Sequence, residues 1–282
     1  MMAAGDEGSV VSTIETGTED LLARVDDGVA VVTMNRPERR NALSGAMLDA
    51  MARVLADLEI DSSVGCVVLT GAGGGFCAGG DVKGMAEASA DGGRLSFDER
   101  IHRQRLQQRA TSGKLWSMPK PTLAWMPGPA AGAGLSLALA CDLRYMAQSA
   151  VVTTAFAKVG FAGDYGGIWF LSRLIGSAKA RELYFLSDRV DSAEAERLGI
   201  VNGVFPDDEL EGEVMSRARR IAEGPRVAYR YMKENFNRSM NGDLFECMDM
   251  EAAHHNRTGQ TEDHREAALA FTEKRPPVFH GR

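Results

Sequence analysis

Apolar residues first gather in LLARVDDGVAVVTMNRP, residues 21–37, where an Asp-Gly pair separates two β-branched runs. That pattern predicts a hairpin leading into a loop at Pro37. The period then changes. Leu43, Met47, Leu48, Met51, Val54, Leu55 and Leu58 fall at helical spacing and predict a helix over 41–58, and a continuous apolar run at 65–70 predicts a buried strand. PTLAWMPG predicts another strand, residues 130–140 a buried helix and residues 142–146 a further strand. Strand and helix alternating in this way favour a largely parallel α/β sheet. Beyond about Tyr165 the text turns helical, from WFLSRLIG to a long tail starting at Arg226, with no strand pattern after Val204. Residues 1–20 are small, polar and acidic without an apolar period, and are expected to be a disordered tail. The expected division is that tail, an α/β core over 21–206 and a helical region over 207–282. In the last region Val227, Tyr231 and Phe236 should be covered by the core or by another subunit.

Composition narrows the function classes. The chain has 282 residues, 44% of them hydrophobic and 25% charged, an ordinary globular balance. Its longest apolar stretch, 130–141, is broken by Gly132, Gly134 and Ser136 and falls short of the ~20 residues that span a bilayer, so no membrane segment is expected. A net charge of −7 argues against a nucleic-acid partner and requires any anionic ligand to be met by local Lys and Arg. The amino terminus lacks the basic start and apolar core of a secretory signal, so a cytoplasmic location is expected. Cys66, Cys77, Cys141 and Cys247 lack metal-ligand spacing and are expected to be reduced, inert core thiols. His254, His255 and His264 also lack ligand spacing and are expected at the surface, so no metal is expected.

Two glycine-rich loops follow apolar strands, VVLTGAGGGFCAGGD at 67–81 and PGPAAGAGLSLALACD at 127–142. Each presents backbone N–H groups at the mouth of a helix, which suits a phosphate or a developing oxyanion. The first lacks the third glycine of a dinucleotide fingerprint, and neither has the Gly-Lys-Ser/Thr of a P-loop. The alternative is that the glycines only allow tight turns and close helix packing.

The pair in this order, with NRPERRNAL (35–43), FCAGGDV (76–82), KVGFAGDYGGIWFLSRLIG (158–176) and LSDRVDSAEAERLGIVNGVFP (186–206), resembles the enoyl-CoA hydratase/isomerase, or crotonase, family. The resemblance covers nearly the whole chain. It implies an α/β fold, a crotonase-like spiral of ββα units with a C-terminal helical region, assembled as a homotrimer or a hexamer that is a dimer of trimers. It further implies an acyl-CoA thioester as substrate, with coenzyme A entering as part of that substrate and no separate cofactor. In this family two backbone amides hold the thioester oxygen as an enolate; by position these are Gly80 and Ala133. One such donor is worth about 3 kcal/mol of barrier.

Family hydratases carry two glutamates that activate water, and this chain has Ser136 and Phe156 at those positions. A serine hydroxyl is no unaided base at neutral pH and phenylalanine is none at all. One carboxylate remains, Asp164, where several family isomerases keep a single acid/base residue; the alternative is an aspartate capping a helix that starts at Tyr165. A single carboxylate suffices to move a proton from C2 to C4, so double-bond isomerisation is the expected reaction. Phe156, Phe161, Trp169 and Phe170 should desolvate Asp164 and raise its pKa. The alternatives are a hydratase with a non-standard water site, a dehalogenase or hydrolase using Asp164 as nucleophile, and a non-catalytic acyl-CoA-binding subunit.

For the CoA moiety the resemblance points to Arg39, Arg40, Ala42, Ala78, Asp81, Val82 and Lys83, together with Lys274 beside Phe271, in the same or a neighbouring subunit. Arg39, Arg40 and Lys83 read equally well as a solvated face, and Asp81 as the cap of a following helix. Arg103, Arg105 and Arg109 could meet a polar acyl group, although a charged helix face is the simpler reading.

Overall fold

The computed structural model describes residues 11–81 and 95–282. The hairpin pattern folds as β2 (Leu21–Asp26) and β3 (Val29–Met34), antiparallel, with Asp27 and Gly28 at φ 49° and 75° as a two-residue turn requires. β1 (Ser12–Ile14) pairs with the outer edge of β2, so the expected tail reaches too far into the chain. An edge strand of 3 residues is held by backbone hydrogen bonds and needs no apolar pattern, which is why composition alone missed it.

Parallel pairing begins at β3. It is followed in the main sheet by β4 (Cys66–Gly71), β5 (Thr122–Met126), β7 (Leu143–Ala147) and β10 (Gly203–Phe205), in the order β1-β2-β3-β4-β5-β7-β10. Every residue of β4 is buried, which accounts for its unbroken apolar run. A smaller sheet joins β6 (Ala130–Ala131), β8 (Val151–Thr153) and β9 (Val190–Asp191). β9 and β10 lie inside the expected α/β core but in the stretch where the pattern turns helical; at 2 and 3 residues they are too short to show a period.

The helices of the core are α1 (Gly45–Ile60), α2 (Phe97–Ala110), α3 (Ser112–Ser117), α4 (Ala133–Ala140), α5 (Gly167–Ile175), α6 (Ser177–Leu186), α7 (Ser192–Arg197) and α8 (Leu210–Ala222). α1 starts at Ser44, whose hydroxyl accepts the Met47 N–H at 3.0 Å, and its apolar stripe faces the sheet. α4 is buried at all 8 positions, and the first residues of the expected 130–140 helix form β6 instead. All four cysteines are free and buried. α2 buries no residue, so Arg103, Arg105 and Arg109 belong to a charged helix face.

The carboxy-terminal region comprises α9 (Arg226–Ser239), α10 (Leu244–Thr258) and α11 (Glu262–Glu273). In α9 only Lys233 is buried. Its ammonium group donates to the Asp142 carboxylate at 2.7 Å and to the carbonyls of Leu115 and Lys120 at 2.9 and 3.0 Å. The expected cover over the apolar face is not supplied by the core: Phe236 is 72% exposed, and Val227 and Tyr231 are half-buried. His254 departs from the surface expectation by packing on the Tyr231 ring at 4.3 Å and bonding Asn235 at 2.6 Å. Among the described residues no helix is long and apolar enough to cross a membrane.

Candidate active site

The chain leaves β3 through a single 3₁₀ turn, Pro37–Arg39, after which Arg40 and Asn41 both take left-handed φ, 53° and 56°. The buried Asn41 side chain is the latch of this corner. Its amide donates to the carbonyls of Ala72 and Gly75, both at 2.9 Å, and its oxygen accepts the Arg36 N–H at 2.9 Å. Residues 40–43 therefore run beside 78–80, with Ala78 N–H bonded to Arg40 O and Leu43 N–H to Gly79 O. Between them lies a cleft of about 640 Å³ lined by Glu38, Arg39, Arg40, Ala42, Ala78, Gly80 and Asp81. The structure thus gathers most of the expected CoA residues in one place. Asp81 pairs with Arg36 at 3.1 Å, and the helix it was expected to cap, like Val82 and Lys83, lies outside the described residues. Lys274 is not brought in: it ends α11 as an exposed residue, with Phe271 85% exposed nearby, and among the described residues no contact links it to the cleft.

The second glycine loop meets the first through its backbone. Phe76 and Cys77 N–H both donate to the Pro129 carbonyl, and Ala131 N–H donates to Cys77 O at 2.9 Å. At Gly79, φ 92°, a Cβ would come within 2.8 Å of Ala131 O and 3.3 Å of Ala133 N, so only glycine lets the main chains approach this closely. That approach sets Gly80 beside the first turn of α4. Ala133 opens the helix, and a first-turn N–H has no intrahelical acceptor. Among the described residues neither the Gly80 nor the Ala133 N–H finds a protein acceptor. The helix dipole adds partial positive charge at the same end.

Asp164 sits in a strained turn. Gly163, Tyr165 and Gly166 have φ of 108°, 50° and 77°, and α5 starts only at Gly167, two residues later than the capping alternative requires. No side chain caps α5, and Gly167 N–H bonds the Asp164 backbone carbonyl, so the capping role falls away. The turn is held from α2, where Gln108 Oε1 accepts the Tyr165 N–H at 2.8 Å. Burial pushes the Asp164 carboxyl up to about 6, and its Oδ1 is buried without a hydrogen-bond partner. The expected apolar shell is partly different: Phe156 is buried, Phe161 is 56% exposed, and Tyr165 and Tyr184 stand close enough to feel the Asp164 charge.

Ser136 and Phe156 reach the same region. The Ser136 hydroxyl donates to Gly132 O at 3.2 Å, and the Tyr184 ring stacks on Phe156 at 5.8 Å. Neither Ser136 nor Phe156 lines the cleft around Arg40 and Ala78.

The family model for enoyl-CoA hydratase/isomerase matches residues 24–282. The chain belongs to that family. It is 34% identical over 264 residues to the 1,2-epoxyphenylacetyl-CoA isomerase of Escherichia coli, covering 94% of this chain and 99% of that one. It is likewise 34% identical to the short-chain-enoyl-CoA hydratase of Clostridium acetobutylicum, covering 88% and 92%. The solved enoyl-CoA hydratase of Bacillus anthracis superposes with a TM-score of 0.84 at 30% identity, covering 96% of this chain and 99% of that one. The crotonase fold and an acyl-CoA-acting enzyme are therefore established for this enoyl-CoA hydratase/isomerase family member.

Asn41, Gln108, Tyr165 and Tyr184 were not singled out from sequence. Asn41 was visible as the asparagine of NRPERRNAL and Tyr165 as the neighbour of Asp164, whereas Gln108 and Tyr184 reach the site by long-range packing that no local spacing encodes.

Proposed function

We propose that the chain is an enoyl-CoA isomerase that shifts a double bond by moving a proton between C2 and C4 of an acyl-CoA. The observation that carries this reading is Asp164, a half-buried carboxyl raised to about 6 by burial, with one oxygen free of protein partners. Ionised Asp164 takes the C2 proton. The Gly80 and Ala133 N–H groups receive the negative charge that develops on the thioester oxygen. Protonated Asp164 then returns the proton to C4, and a raised pKa suits a group that must both take and give within one cycle. Arg39 and Arg40 on the cleft rim supply the local positive charge that the CoA phosphates of the substrate need in a chain of net charge −7. No cofactor beyond the CoA carried by the substrate takes part. The assembly belonging to this reading is a cytoplasmic homotrimer or hexamer, supported by exposed Phe236, Phe245 and Phe271 on the carboxy-terminal helices.

The hydratase name carried by several relatives favours a second reading, water addition to a 2-enoyl-CoA. Ser136 and Phe156 in place of two carboxylates count against it. A panel of CoA esters decides: one enzyme preparation is assayed for 3-enoyl to 2-enoyl conversion and for 2-enoyl hydration. Isomerisation is expected to be the faster, and a hydration rate well above it overturns the proposal.

A further inference from the structure

The peptide unit that joins Asp164 to Tyr165 is pinned at both ends. Its carbonyl accepts the Gly167 N–H at 3.1 Å from within the turn, and its N–H donates to Gln108 Oε1 at 2.8 Å on α2. Together the two bonds fix the plane of that unit, and with it the direction in which the Asp164 side chain leaves the backbone. The plane is held against a preference. Tyr165 is a buried non-glycine residue at φ 50°, and turning this single plane over would change Asp164 ψ and Tyr165 φ together and release Tyr165 from the left-handed region. Such a conformation persists only where its surroundings over-determine it. Gln108 supplies the tie from outside the turn.

The setting of Gln108 suits a dedicated acceptor. Only its amide oxygen can face an N–H, so the contact itself sets which way the side-chain amide is turned. α2 contributes no buried residue, and along its length it is moored to α1 by Arg103 and Gln107, which reach the Asp49 carboxylate at 3.6 and 3.4 Å. Its carboxy-terminal end is held more firmly. Thr111 and Ser112, both buried, donate their hydroxyls back to the carbonyls of Gln107 and Gln108 at 2.7 and 3.1 Å. The acceptor for the Tyr165 N–H therefore stands on the fixed end of the helix.

We propose that Gln108 is a positioning residue: by accepting the Tyr165 N–H it holds the Asp164–Tyr165 peptide plane in its left-handed turn, and so aims the Asp164 carboxyl at the substrate held by the Gly80 and Ala133 amides. The proposal rests on Asp164 being the base. Without the acceptor the N–H is left unpaired or the plane turns over, and either moves the base. A displacement near 1 Å costs up to ~10²-fold in rate.

Gln108→Met keeps the length and helix propensity of the side chain and removes the amide oxygen, whereas Gln108→Glu keeps an oxygen acceptor at the same reach. In the full-length protein Gln108→Met is expected to lower kcat for 3-enoyl to 2-enoyl conversion by about 10–100-fold, with KM held and at most a small fall in melting temperature. Gln108→Glu should regain most of that loss when assayed at pH ~8, where Asp164 is ionised. In a cycle with Asp164→Asn, adding Gln108→Met should cost nothing further, because Gln108 acts through that carboxyl. Parental kcat in Gln108→Met overturns the proposal, as does a loss confined to KM or one that Gln108→Glu does not recover. An equal further loss in the Asp164→Asn background also overturns it, since a merely structural defect acts whether or not the base is present. Asp164→Asn by itself separates the two ideas. If it retains full turnover, the reading of Asp164 as base fails and the positioning role goes with it. If it is strongly impaired while Gln108→Met runs at the parental rate, the positioning role alone is wrong.

Discussion

α4 and α9 are both helices, yet α4 is buried at all 8 of its positions and α9 at one position, Lys233, in 14. The difference separates two uses of a helix. α4 has no solvent face, so its first-turn amide stands in a fixed place relative to the first glycine loop, as the proposed role of oxyanion donor requires. α9 is held by polar contacts at its surface, Lys233 to Asp142, Arg226 to the Ser62 carbonyl and Asn237 to the Trp116 carbonyl, and it leaves Phe236 in solvent.

The sharpest way to break this division is at the base. Asp164→Asn is expected to cut isomerisation by ~10²–10⁴-fold while leaving CoA-ester affinity in place, measured by steady-state kinetics and calorimetric titration. Next in size, Leu137→Ala opens a cavity inside fully buried α4 and should cost about 2–5 kcal/mol, read as a lowered denaturation midpoint.

A third test uses pH. Asp164 has a folded value of about 6 against an ordinary 3.8, so the folded chain holds this proton more tightly than the unfolded one. Its burial therefore opposes folding above pH ~6, and that penalty fades as the pH falls toward 4. Asp164→Asn should accordingly melt above the parent at pH 8, with the gap closing at pH 4 in a calorimetric series. The parental kcat/KM should fall as the pH drops through about 6, where the base becomes protonated.

The smallest effect on the chain itself is expected on the exposed helices. Phe236→Asp with Phe245→Asp should change melting of the isolated chain by only about 0.5 kcal/mol per site, yet lower the particle mass seen by light scattering. Equal mass in parent and variant would show that α9 and α10 do not need a contact from outside the chain.

What could be read from the sequence followed the length of each element. The β2–β3 hairpin, α1, β4 and α4 announce themselves because each buries several side chains in a fixed period. β1, β9 and β10 do not, being 2 or 3 residues long and held by backbone pairing. The same holds at the site. The glycine loops and Asp164 lie in strings that carry the family resemblance, and the cleft residues around Arg40 and Ala78 follow from them. Tyr184 and Gln108 come from helices remote in sequence and reach Asp164 only after α2 and α6 have docked, so no local pattern could mark them. Lys274 was drawn toward the cleft by resemblance alone, and within one chain the fold leaves it at the far end of α11.

The contacts of Lys233 bear on where the polypeptide can be cut. The boundary expected near residue 207 suggests a detachable carboxy-terminal piece, but this ammonium is threaded into the core, where it closes off a carboxylate and two carbonyls at 2.7–3.0 Å. Stripping one partner from such a buried pair costs about 3–5 kcal/mol. A deletion ending before α9 would therefore strip the ammonium from Asp142, which keeps only its Thr122 partners, and from the Leu115 and Lys120 carbonyls. A truncated gene product should be insoluble or rapidly degraded, whereas shortening after α9 spares the anchor. The helical region is not a cargo module to be swapped between scaffolds, because Lys233 of α9 is tied to the segments around Leu115, Lys120 and Asp142.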